Sequence, residues 1–185
     1  DALEAQLTQI KQAKGQSAND MSPSQSSLNN LLEHYQNGRY DETEKLAMSI
    51  TQEFPKHQFG WKVLGAVLGQ TGRNSEAIKA IQTAVTISPQ DTETHYNLGN
   101  TLKELGRLEE AEASYIEAIG LKPDFPEAHY NLGYTLSKLG RLEEAEASYK
   151  QAIVLKPDFS EAHSNLGGTL QDLGRLEEAE ASYTQ

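Results

Sequence analysis

The chain has no cysteine among its 185 residues, which removes disulfide frameworks, thiolate zinc sites and cysteine nucleophiles together. Cations are scarce: 16 Lys and Arg stand against 27 Asp and Glu, leaving a net charge of −11. A phosphate binder needs clustered Lys and Arg to displace counterions, and no such cluster occurs, so nucleic acid is not expected as a partner. The same balance argues against an anionic membrane surface. Long apolar runs are also missing. The most apolar stretch, Val63–Gly69, falls far short of the roughly 18 residues that a spanning helix needs. No signal-peptide pattern follows Asp1, and absence of Cys is tolerated in any compartment, so a cytoplasmic location is favoured without being fixed. Hydrophobic residues make up only 37%, which is polar for a compact globule. A repeat array has no single thick core and accommodates that composition.

Repetition is what the chain does have. Gly-Arg-Leu-Glu-Glu-Ala-Glu-Ala-Ser-Tyr occurs unchanged at 106–115, 140–149 and 174–183, an offset of 34 residues each time. Asn-Leu-Gly recurs at 97–99, 131–133 and 165–167, and Lys-Pro-Asp-Phe at 122–125 and 156–159. A weaker copy runs from Trp61, Leu64, Gly65 and Leu68 through Gly72, Ala77, Ile81 and Ala84 to Pro89.

Each unit reads as two helices. Leu98, Leu102 and Leu105 recur at spacings of four and three, which places them on one helical face. Gly106 then supplies the stop, and Leu108, Ala111, Tyr115 and Ala118 form the apolar face of a second helix that Pro123 ends. Asp124 with Glu127, Asp158 with Glu161, and Asp41 with Glu44 have the spacing of capping boxes. Connections this short force the helices of a pair to run antiparallel. Gly99, Gly133 and Gly167 fall mid-helix, where glycine costs roughly 1 kcal/mol relative to alanine. Close approach of the partner helix, with Ala111, Ala145 and Ala179 facing them, is the expected reason.

The pattern resembles the tetratricopeptide repeat family, whose units carry a large residue, Leu, Gly, a second large residue, Gly, Ala, an aromatic, Ala and Pro in order. Its wording is similar to that of bacterial multi-repeat proteins and of the repeats of O-linked N-acetylglucosaminyl transferase. The resemblance implies an all-α fold, a right-handed α-solenoid of antiparallel helix pairs. Full units are expected at 58–91, 92–125 and 126–159, with a truncated one at 160–185. Residues 24–57 read as a degenerate hairpin, in which Asn30 and Leu31 replace the Leu-Gly pair while Leu28, Leu31, Leu32 and Tyr35 keep an apolar stripe. Residues 1–23 read as a helix over about 2–14, with Leu3, Leu7 and Ile10 on one side, followed by a linker.

No catalytic constellation is apparent, and neither enzyme activity, a cofactor nor a metal is expected. Adjacent residues on a helix point about 100° apart, so Glu109/Glu110, Glu143/Glu144 and Glu177/Glu178 do not converge; they suit the first helical turn, where negative charge favours the dipole. His95, His129 and His163 stand where the family often has Trp, and each belongs to a different helix, too far apart to share one ion. Arg107, Arg141 and Arg175 are expected to contact helix carboxylates. Chaperone-binding repeats clamp a C-terminal carboxylate with several cations; Glu93, Glu127 and Glu161 hold an early position here and only Lys62 is basic at a matching place, so no clamp is expected.

Peptide-binding residues are expected on the concave side formed by first helices: Tyr96, Asn97, Asn100 and Lys103, then Tyr130, Asn131, Tyr134 and Lys138, then Asn165. An amide presents both donor and acceptor, which matches an extended peptide backbone. In the glycosyltransferase that the repeats resemble, an asparagine ladder at this position holds protein substrates. The other reading is that Asn97, Asn131 and Asn165 only bond neighbouring helices or merely reflect recent duplication. The function expected is a non-catalytic scaffold binding an extended peptide or partner helix. Its alternatives are the substrate-recruiting arm of a larger enzyme and a self-assembling structural protein. Partners are protein or peptide, of basic character given the net charge. Self-association is expected through the open repeat ends or the N-terminal helix, because the final half-unit leaves Leu173, Leu176, Ala179 and Tyr183 uncovered.

Overall fold

A computed structural model of the chain describes residues 22–183, and the helix expected at 2–14 lies outside them. The described residues form ten helices and divide into two compact units at Ile87/Ser88. The first unit contains α1 (Gln25–Gln36), α2 (Tyr40–Glu53), α3 (Gln58–Gln70) and α4 (Asn74–Ile87). The second contains α5 (Thr92–Glu104), α6 (Leu108–Leu121), α7 (Pro126–Lys138), α8 (Leu142–Leu155), α9 (Ser160–Asp172) and α10 (Leu176–Tyr183). Within each unit consecutive helices pack as hairpins, and each hairpin stacks on the next. The fold is all-α, an α-solenoid arrangement of helix pairs.

The turn inside each hairpin follows from one glycine. Gly106 has φ of 71°, a region that a Cβ makes costly. Its N–H donates to Lys103 O at 3.0 Å and that of Arg107 to Leu102 O at 3.0 Å, the paired bonds of a Schellman motif. Leu105 is the capping residue of that turn rather than a member of the buried stripe, and it is exposed.

Helix starts depart from the sequence expectation. Neither Asp124 nor Asp158 caps; Phe125 and Phe159 occupy the N-cap positions of α7 and α9 without a side-chain bond. Arg39, not Asp41, precedes α2. The physical reason is aromatic packing. The rings of Phe125 and Phe159 lie 4.8 and 4.9 Å from those of Tyr96 and Tyr130, and Pro126 opens α7 with no N–H to satisfy. Asp91 does cap α5, its Oδ1 accepting from the N–H groups of Glu93 and Thr94.

The mid-helix glycines also differ from expectation. A Cβ built on Gly99 would stand 2.6 Å from Tyr115 Cε1, and one on Gly133 would stand 2.8 Å from Tyr149 Cδ1. The partner helix therefore approaches through a tyrosine ring laid over the glycine, not through Ala111 or Ala145. Tyr115 and Tyr149 are buried completely, while Tyr183 at the same repeat position is 52% exposed although its ring also covers Gly167. Leu176 is likewise exposed, but Ala179 is buried in the core with Leu166 and Leu170.

Arginine–glutamate ties link successive hairpins within each unit. Arg73 reaches back to Glu44, Arg141 to Glu112 and Arg175 to Glu146, while each also grips the glutamate three residues ahead. Glu146 is buried and takes Lys150 as well, both cations at 2.6 Å. The hydrogen bond from Lys150, followed by that from Arg175, holds its carboxyl below the usual glutamate range. A depressed carboxyl stabilises the fold above its unfolded value, roughly pH 4.3, and that contribution disappears as pH falls through the folded value. Glu146→Gln should therefore cost about 1–2 kcal/mol at neutral pH. In urea titrations the difference between variant and parent should shrink as the pH falls below about 4.3; a difference that persists undiminished in strong acid refutes the assignment.

Candidate functional site: the first-helix face of residues 92–172

Helices α5, α7 and α9 lie side by side in the second unit, so their repeat-equivalent positions form one face. The expected residues meet there in a connected set. Asn131 is buried on α7; its Nδ2 donates to Tyr96 Oη at 3.0 Å and to Asn100 Oδ1 at 3.1 Å. Its Oδ1 accepts from Lys103 Nζ at 2.9 Å. Asn100 Oδ1 also accepts from Tyr115 Oη at 2.8 Å, and Asn165 Nδ2 donates to Tyr130 Oη at 3.0 Å. Asn97 lies exposed on α5. The asparagine position thus ties each first helix to the one before it at Asn131 and Asn165, and the amide of Asn131 is engaged at both ends.

Beside this network is a cleft of about 280 Å³ lined by Lys103, Glu104, Tyr130, Asn131 and Tyr134. Lys103 is half-buried, and desolvation lowers its pKa against the opposing field of Glu104. Its Nζ stands 5.5 Å from the centre of the Tyr134 ring, and Lys138 Nζ stands 5.4 Å from the same ring. Both separations are within cation–π range. Burial raises the pKa of the Tyr130 hydroxyl, with the bond from Asn165 opposing.

Histidines 95, 129 and 163 have a structural position. Their Nε2 atoms lie 2.9 Å from the carbonyl oxygens of Pro89, Pro123 and Pro157. Trp61 makes the same bond through Nε1 to Pro55 O, also at 2.9 Å. A carbonyl only accepts, so each imidazole carries its proton on Nε2. Among the described residues no three His, Asp or Glu converge as a metal site. No helix of the described residues is long and apolar enough to cross a membrane.

Glu104 is the cleft residue that sequence reasoning passed over. The signal that finds it is divergence between repeats. Residues 105–115, 139–149 and 173–183 are identical, as are the Asn-Leu-Gly and Thr-Leu steps of the first helices. Beyond the first turn, the first helices differ only at Tyr96/Tyr130/Ser164, Asn100/Tyr134/Gly168, Lys103/Ser137/Gln171 and Glu104/Lys138/Asp172. Those four positions supply nearly all of the cleft. The second helices vary too, at Ile116/Lys150, Glu117/Gln151 and Gly120/Val154, but none of those positions lines the cleft.

Models of the tetratricopeptide repeat match residues 65–106, 99–140, 126–159 and 160–183. The chain belongs to the tetratricopeptide repeat family. The shared fold extends to solved structures of MamA. One, described as a crystal structure of MamA, has a TM-score of 0.79 at 22% identity over 82% of this chain and 89% of that one. A second, MamA from residue 41 onward from Desulfovibrio magneticus RS-1, has a TM-score of 0.80 at 17% identity over 85% and 89%. At these identities the likeness is one of fold. No match is found among curated protein sequences. In tetratricopeptide terms, α5, α7 and α9 are the first helices of three repeats, and the cleft opens between the first helices of two of them.

Proposed function

We propose that this tetratricopeptide chain is a non-catalytic scaffold that holds an extended segment of a protein partner along the first-helix face of residues 92–172. The observation that carries the reading is that every first-helix position that varies beyond the first turn supplies a residue lining the cleft, while the Asn-Leu-Gly and Thr-Leu steps between them are kept. A surface needed only for stacking gains nothing from such variation. A surface that contacts an irregular ligand requires it.

The test is selection of a random ten-residue peptide library displayed on phage against the full chain, followed by affinity measurement with synthetic peptides. Tyr134 is the aromatic anchor of the cleft, and truncating such an anchor typically costs about 2 kcal/mol or more, roughly thirtyfold in Kd. Tyr134→Ala should weaken selected peptides by that factor. Ile116→Ala, on an exposed second-helix position, should leave them unchanged. Equal binding by the parent and Tyr134→Ala places the ligand elsewhere and rejects the reading.

A further inference from the structure

We infer that Asn37, at the end of α1, is a deamidation site: its side chain cyclises onto the Gly38 nitrogen, and the products cannot hold the turn that leads into α2.

The chemistry starts with the neighbour. An asparagine is lost when the backbone nitrogen of the next residue attacks its Cγ, and a side chain on that residue crowds the approach. Glycine has none. Of the nine asparagines in the chain, Asn37 alone precedes glycine. The pair is not a property of the repeat, because Thr71, Leu105, Leu139 and Leu173 precede the glycines of the equivalent turns.

Position separates Asn37 from the others further. Asn74 opens α4 with its Oδ1 buried, and Ser75 follows it. The remaining described asparagines lie inside helices, where the next N–H is held in the ladder to the preceding turn. Asn37 is exposed, and its side-chain amide has no hydrogen-bond partner among the described residues.

The folded turn restrains the reaction. Ring closure requires the Gly38 nitrogen to eclipse Cβ of Asn37, but at ψ of 7° that nitrogen eclipses the Asn37 nitrogen instead. The Gly38 N–H also donates to Tyr35 O at 3.1 Å, and that of Arg39 to His34 O at 2.9 Å. Cyclisation therefore passes through a locally opened turn. Little else keeps this turn shut. Thr71, the equivalent cap in the next hairpin, anchors itself through Oγ1 to Val67 O and Leu68 O, which Asn37 does not. The tie from Arg39 to Glu33, at 3.3 Å, joins two exposed side chains and contributes little.

In the open turn the Gly38 nitrogen bonds to Asn37 Cγ, the Cγ–Nδ2 bond breaks, and the displaced nitrogen leaves as ammonia with the Gly38 proton. One water then opens the succinimide at either carbonyl, to aspartate or isoaspartate. Isoaspartate inserts Cβ into the main chain, so the Gly38 and Arg39 donors fall out of register with Tyr35 and His34. Aspartate keeps the register but places a negative charge at the C-terminal end of α1, four residues after Glu33. The helix dipole and the like charge both oppose it there. Either product favours the open turn, so the change runs one way.

The experiment holds the full chain at mildly alkaline pH, with and without urea, and maps its peptides by mass spectrometry with fragmentation that distinguishes isoaspartate. Asn37 should convert before any other asparagine of residues 22–183, with isoaspartate exceeding aspartate. Conversion should be at least about tenfold slower in the folded chain than in unfolding urea, the factor by which the closed turn outweighs the open one. Hydrogen exchange on the aged protein should show protection lost in α1 and at the start of α2, whereas Asn37→Thr, aged identically, should keep it. Earlier conversion of another of these asparagines overturns the assignment, and aspartate without isoaspartate overturns attack by Gly38. Equal rates with and without urea overturn the restraint by the fold. Undiminished protection in the converted protein overturns the effect on the turn.

Discussion

Replacing Tyr149 with alanine should destabilise the protein by about 3–5 kcal/mol, while the same change at Tyr183 should cost well under half as much. The two residues close identical stretches of sequence, so propensity and local wording cancel in the comparison. What differs is burial: Tyr149 is 1% exposed and Tyr183 is 52% exposed. A second test isolates the contact. Gly133→Ala alone drives a methyl to 2.8 Å from the Tyr149 ring, which has nowhere to move, and overpacking of this kind costs about 1–3 kcal/mol. With the ring removed, the same substitution gains the helical preference of alanine, about 1 kcal/mol. Gly133→Ala should therefore change sign between the parent and the Tyr149→Ala background. Urea unfolding of the four proteins measures this, and additive effects would show that the ring and the glycine are independent.

Asn131→Ala should cost roughly 1.5–4.5 kcal/mol if its three bonds contribute 0.5–1.5 each and add. It removes the acceptor of a half-buried ammonium together with donors to Tyr96 and Asn100. Asn165→Ala loses the bond to Tyr130 and a side-chain hydrogen bond to the Tyr149 hydroxyl, and should cost about 1–3 kcal/mol. Tyr96→Phe deletes only the hydroxyl that accepts from Asn131, so a double-mutant cycle of Asn131→Ala with Tyr96→Phe should show coupling near 1 kcal/mol. Zero coupling would mean that the amide does not tie α5 to α7.

The helix hairpins were legible because their causes are local. A glycine that adopts φ of 71° at Gly106, leucines at spacings of three and four, and a proline after the second helix act within a few residues of their own position. Tertiary partners were less legible. The side chain laid over Gly133 is that of Tyr149, sixteen positions later, whereas the sequence expectation placed Ala145 there. The capping boxes failed for a related reason. Asp124 and Asp158 have suitable spacing, but burying Phe125 and Phe159 against Tyr96 and Tyr130 decides where the chain turns. At the site, the pattern located the first-helix face and its asparagines. It did not reveal that Asn131 spends its amide on Tyr96, Asn100 and Lys103, because a bond across 28–35 residues leaves no mark on either helix alone.

The slot that receives a ring N–H beside each turn proline has an optical consequence. Trp61 fills it in the first unit, and His95, His129 and His163 fill it in the second. Trp61 is the only indole in the chain, so tryptophan emission originates wholly from residues that unfold with α3. The second unit is silent at those wavelengths, and its fully buried chromophores are Tyr115 and Tyr149. Far-ultraviolet dichroism sums the helices of both. One unlabelled sample therefore carries two clocks, an indole that times the loss of the first unit and an ellipticity that times the loss of both.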